Sequence, residues 1–137
     1  MSARSDLSPR LSGVYRSPSD PIAVQARAVA GGAASASVDL DAISSKRELL
    51  DTLAADLALP KSFGRNWDAL ADCLQDLPVP AQGWLLHIKH AQGVQRALGS
   101  EWLTLLEILH DAAIYWKEHG RAFVVFIDDA IALPVWR

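Results

Sequence analysis

Two periods run through the apolar positions of this chain. Between residues 34 and 40, Ala36, Val38 and Leu40 alternate with Ser35, Ser37 and Asp39, which predicts a half-buried strand. Leu49, Leu50, Leu53 and Leu57 instead recur at helical spacing, behind a capping-box pattern of Ser45 and Glu48. Pro60 is expected to stop that helix, because proline disfavours helical geometry in the residue before it. A longer helical pattern follows Ser100 through Trp102, Leu105, Leu106, Leu109, Ala113 and Trp116. Ser100 is expected to cap it and Gly120 to end it, with Lys117 and His119 in a last turn that favours cations.

Residues 83–89 read as a strand and 90–99 as a short helix or turn, while 122–127 form the continuous β-branched and aromatic run of a strand buried on both faces. Asp20 and Pro21 predict a further helix start, and Gly31-Gly32 its end. Residues 1–19, rich in Ser, Arg and Pro, are expected to be a flexible tail, with 13–16 as a short edge segment, and 20–137 the folded domain. Strands separated by helical segments predict an α/β fold: a three-stranded parallel sheet with surrounding helices.

The segment "SFGRNWDALADCL", residues 62–74, carries the candidate chemistry. Asn66 predicts an N-cap for the helix that follows. With Asp68 at zero and about 100° per residue, Asp72 falls near 40°, Asp76 near 80° and Gln75 near −20°. Trp67, Leu70, Leu74 and Leu77 fall on the opposite side, so a core face opposes an acidic one. The helix dipole favours Asp68 in the first turn, whereas like charges four residues apart repel. Such a face, without interspersed lysines, is either a solvated acidic surface or one made to meet a positively charged partner.

Composition narrows the function. The formal net charge is −3 and no Lys/Arg cluster stands out, which argues against direct nucleic-acid binding. A single cysteine, Cys73, forms no intramolecular disulfide and is expected to be a small buried residue rather than a nucleophile. The first residues lack the apolar stretch of a secretory signal, and no run reaches the roughly 20 apolar residues of a membrane span. A soluble cytoplasmic protein is expected. His87 and His90 do not have a zinc spacing and are expected to be surface or capping histidines; Asp128-Asp129 read as solvated loop charge. Neither a phosphate-binding glycine loop nor a nucleophile elbow occurs, so no cofactor, metal or catalytic residue is expected.

"LALPKSFGRNWDALADCLQDL", residues 57–77, resembles the signature of the barstar family, intracellular inhibitors of secreted microbial ribonucleases. The match runs through Phe63, Gly64, Asn66, Trp67, Asp68, Ala69, Leu70, Asp72, Cys73 and Leu74, and a looser agreement covers about residues 34–128. The resemblance implies a non-enzymatic immunity protein of bacterial toxin–antitoxin type, monomeric when free. Its partner would be a secreted-type, barnase-like ribonuclease, whose basic active site the acidic loop and helix would block. It further implies that Asp72 is the central anion, that Asp68 is its neighbour, and that Gly64 and Asn66 shape the loop. Trp67, Ala71, Gln75 and Asp76 complete the implied contact, and Phe63 either stacks on the partner or closes the core.

Ser62 and Ala71 stand where the best-studied relative carries a tyrosine and a tryptophan, and Lys61 and Arg65 place positive charge beside the acids. The competing reading is a barstar-like binding module that regulates a partner other than a nuclease.

Overall fold

The computed structural model describes residues 7–130 and 132–136. Strands β1 (Gly13–Arg16), β2 (Ala34–Asp39), β3 (Trp84–Lys89) and β4 (Phe123–Ile127) form one sheet. Its order is β1-β4-β3-β2 and every neighbouring pair is parallel. The helices are α1 (Pro21–Ala30), α2 (Lys46–Asp56), α3 (Trp67–Gln75), α4 (Ala91–Ala97) and α5 (Gly99–Glu118). The sheet therefore has four strands rather than the expected three.

The added strand comes from the expected tail. Gly13–Arg16 pairs with β4 from Val124 to Ile127, and the Ser12 hydroxyl accepts from Phe123 N at 3.0 Å while donating to the Arg121 carbonyl. Leu7 is also buried, packed beside Gly83. Gly83 has φ +100°, and a Cβ there would meet the Leu7 side chain at 3.2 Å. The short edge segment expected at 13–16 is thus strand β1 at the edge of the sheet, whereas the flexible tail expected before it is corrected for residues 7–12, which pack beside the sheet; residues 1–6 lie outside the described residues.

β4 is buried at all five positions because both faces of the sheet are covered. Val38, Leu86, Ile88, Phe123, Val125 and Ile127 share one core with Leu49, Leu50 and Leu53 of α2, Leu70 and Leu74 of α3, and Trp102, Leu105 and Leu109 of α5. Leu85, Val124 and Phe126 point the other way, onto Leu7, Ala28 of α1 and, at the margin, Tyr15, Val24 and Trp136. Period-two alternation divides each central strand between these two cores.

Helix ends follow local chemistry with three adjustments. Asp20 caps α1 through Ala23 N, and Ser45 caps α2 through Glu48 N at 3.1 Å. The Glu48 carboxylate reaches back to Ser44 N rather than Ser45 N, so the capping box is displaced by one residue. α2 ends at Asp56, ahead of Pro60, with Ala58 in the left-handed region at φ 52°. Ser100 does not cap the long helix: α5 starts at Gly99 directly after α4, with Leu98 between them and no side-chain cap.

At the carboxyl ends of the strands two sequence readings are corrected. His87 is only 3 % exposed, and its Nε2 lies 2.9 Å from Asp128 Oδ1, which also accepts from the Ser17 hydroxyl at 2.6 Å. Asp128 therefore joins the ends of β1, β3 and β4 instead of standing as solvated loop charge. A histidine in a buried strand needs such an acceptor, since an unpaired polar group there is costly. Among the described residues no group of three or more potential ligands could hold a metal ion, and no helix is long and apolar enough to cross a membrane.

Candidate functional site

The loop after α2 and the first turn of α3 are built to hold one exposed helix face. Asn66 adopts extended geometry and its Oδ1 accepts from Ala69 N at 2.8 Å, starting α3 where the sequence places it. Its amide nitrogen turns back to the Gly64 carbonyl at 3.4 Å. A Cβ on Gly64 would come within 3.3 Å of that nitrogen, so a larger residue would crowd the cap. Phe63, 6 % exposed, lies in the core with Leu70 and Leu74. Of the two roles open to it, closing the core is the one its burial supports.

Three contacts fix α3 on the body. Leu70 and Leu74 are fully buried. Trp116 of α5 donates its indole N–H to the Leu74 carbonyl at 2.9 Å. Trp67, half-buried against the core, donates its indole N–H to Glu101 Oε1 at 2.8 Å. The position of Glu101 in the first turn of α5 brings it to Trp67 across 34 residues of chain, a relation no local pattern encodes.

With that side anchored, the opposite side faces outward. Asp68, Asp72 and Asp76 are exposed, and Ala71 and Gln75 are half-buried beside them. Asp68 lies in the first turn of α3, where the positive helix end favours it. Asp76 is the C-cap rather than part of the last turn, with its backbone N–H on the Asp72 carbonyl at 3.2 Å. There the negative end of the helix opposes a carboxylate. None of the three aspartates has an ion-pair partner among the described residues. Cys73 is half-buried rather than buried; burial, then the charges of Asp76 and Asp72, push its thiol pKa up and disfavour the thiolate.

The positive residues beside this face are directed away from it. Arg65, in the left-handed region at φ 52°, donates Nε–H to Asp51 Oδ1 of α2 at 2.6 Å. Lys46 Nζ lies 5.8 Å from the centroid of the Trp67 ring. Arg65 and Lys46 thus make their contacts with Asp51 and Trp67, and among the described residues neither forms an ion pair with the acids of α3.

This arrangement presents a rigid row of carboxylates on a short helix, stabilised from behind and open in front. No curated protein matches the chain. A protein-family model described as Barstar (barnase inhibitor) matches residues 33–128, which include all four helices from α2 onward and strands β2 to β4. With well over half of its length in that match, the chain belongs to the barstar family.

Proposed function

We propose that this protein inhibits a secreted-type, barnase-like ribonuclease by seating the outer face of α3 in the enzyme's basic active site. The observation that carries the reading is the row Asp68, Asp72 and Asp76, exposed and without ion pairs among the described residues, on a helix whose other side is buried. The family's description as barnase inhibitors supports the same reading.

A ribonuclease stabilises the phosphodiester it cleaves with cationic side chains, so its empty site carries concentrated positive potential. A carboxylate can replace a phosphate oxygen there and accept charge-assisted hydrogen bonds from arginine, lysine or protonated histidine. Asp72, near the centre of the outer face, would enter deepest, with Asp68 beside it and Asp76 toward the rim. Gly64 and Asn66 would shape the loop against the enzyme, while Ala71 and Gln75 would fill the contact. Trp67 would support it from its edge. The inhibitor contributes no chemistry of its own: it excludes substrate. Opposite charges would speed encounter, which suits cytoplasmic protection of the producing cell against its own toxin.

Titration against barnase and against ribonucleases secreted by the source organism tests this. Stoichiometric loss of RNA cleavage, with no cleavage by the protein alone, is the expected result. RNA cleavage by the protein itself, or protection from none of these enzymes, would remove the inhibitor reading and favour a binding module for another class of protein.

A further inference from the structure

A second charged surface adjoins the acidic one, with the opposite sign. Lys46 and Arg47 from the first turn of α2 and Arg65 from the loop surround a hollow of about 390 Å³ floored by Leu50. Asp51 is the carboxylate beside them, 2.6 Å from Arg65 Nε and 3.9 Å from Arg47 Nε. The hollow is lined by three cations and no carboxylate; Asp51 pairs with two of them, and Glu101 accepts from the Trp67 indole that Lys46 covers. Its border with α3 is direct, because Lys46 lies over the Trp67 ring.

The α2 helix itself gives no reason for the two cations at its start. Lys46 and Arg47 occupy the first two positions of α2, where the positive end of the helix dipole disfavours cations. The Arg47 side chain is 89 % exposed, so burial of its stem contributes little either. Arg65 is held onto Asp51 in a left-handed backbone conformation, turned toward α2 rather than toward the acids of α3.

Size brings both patches under one partner. A nine-residue helix is only about 13 Å long. A stable protein interface covers about 800 Å² on each partner, far more than the outer face of α3 can supply. A body seated on α3 must therefore spread onto its neighbours, and the start of α2 is one of them. A nucleic acid would fit the cations but would meet Asp68 and Asp72 just across Trp67, so like-charge repulsion excludes it.

We propose that Lys46, Arg47 and Arg65 form a second contact patch that receives carboxylate side chains on the rim of the same ribonuclease whose basic site α3 occupies. This rests on the inhibitor reading. The cognate enzyme is then dipolar at its active-site mouth, with an acidic rim beside its cationic centre. A uniformly basic ribonuclease would be repelled by the patch. The patch selects among ribonucleases, whereas the α3 acids supply the general attraction.

The sign of one kinetic effect decides the matter. The double variant Lys46→Glu/Arg47→Glu reverses the patch without touching the core, and acids in the first turn of α2 should hold or raise its melting temperature. Against the ribonuclease that the wild type inhibits, association measured by stopped flow at low ionic strength should slow by about tenfold or more. The difference should shrink at high salt. Equal or faster association of a normally folded variant would overturn the second patch while leaving the inhibitor reading intact. Failure of the wild type to inhibit any of the ribonucleases would instead overturn the inhibitor reading, and the patch assignment with it.

Discussion

Trp67 and Glu101 are joined across the α3–α5 contact, the indole N–H donating to the carboxylate at 2.8 Å. The bond places a charged acceptor at the edge of the acidic face and uses it internally. Removing the acceptor leaves a half-buried indole N–H to find water. Glu101→Ala should therefore cost about 1.5 kcal/mol of stability, the low end for a hydrogen bond to a charged group because the site is partly solvated. Glu101→Gln keeps an acceptor oxygen and should lie close to wild type. Urea unfolding followed by tryptophan fluorescence compares the two; equal losses in both would mean that charge, not the hydrogen bond, sets the effect.

Leu74 ties α3 to the core more strongly than any polar contact. Its side chain is fully buried with Leu70 and Val125, and its carbonyl accepts from Trp116. Leu74→Ala should cost about 2 to 5 kcal/mol through lost burial and the cavity left behind. Denaturant melts read this directly, and a loss below about half a kcal/mol would contradict the rigid anchoring of the helix.

Much of this architecture was legible because local patterns determine it. The alternation from Ala36 to Leu40, the caps at Asp20, Ser45 and Asn66, and the two-sided burial of residues 122–127 are all short-range consequences of side-chain chemistry. The opposition of Leu70 and Leu74 to Asp68 and Asp72 follows from helical geometry alone. The missed features depend on residues far apart in the chain. Ser12 bonds the backbone of Arg121 and Phe123, more than a hundred residues away, so the ordering of the segment before β1 has no local signal. His87 reads as polar until Asp128, itself held by the Ser17 hydroxyl, meets it at the strand ends. The outer core explains why the sheet needs residues before the family match: Leu7, Tyr15, Val24 and Ala28 cover Leu85, Val124 and Phe126.

Among charged pairs, His90 and Asp39 couple stability to pH. His90 Nδ1 lies 2.8 Å from Asp39 Oδ1. The hydrogen bond that His90 donates to Asp39, then the charge of Asp39, raises the His90 pKa above the ordinary value of 6.5, while the same bond lowers that of Asp39. The histidine contribution is complete below its unfolded pKa and is lost as pH rises through the higher folded value. The carboxylate contribution is present above its unfolded pKa and is lost as pH falls through the lower folded value. Asp39→Asn should thus lose most stability relative to wild type at about pH 5 to 6, and the gap should narrow above pH 7. Paired thermal melts across that range provide the comparison; a gap that widened with rising pH would have the wrong sign.

Asp72 separates the folding role of α3 from its binding role most sharply. Its side chain is exposed, on the face opposite Leu70 and Leu74, and has no ion-pair partner among the described residues. Asp68 stands four residues before it and Asp76 four after, so truncating Asp72 removes like-charge repulsion on both sides. Asp72→Ala should leave the isolated protein as stable as before or more so by a few tenths of a kcal/mol. Binding should respond in the opposite direction. Losing one member of a buried charge pair costs roughly 2 to 5 kcal/mol or more, a range informed by this family's own barnase complex, and acts mainly through faster dissociation. Asp76→Ala, at the helix end and nearer the rim, should chiefly slow association and flatten its salt dependence. Titrating both variants against the inhibited ribonuclease at low and high salt distinguishes these roles. Inhibition by Asp72→Ala at wild-type strength would place the plug elsewhere on the molecule, because no other exposed carboxylate sits so centrally on the face that α3 presents.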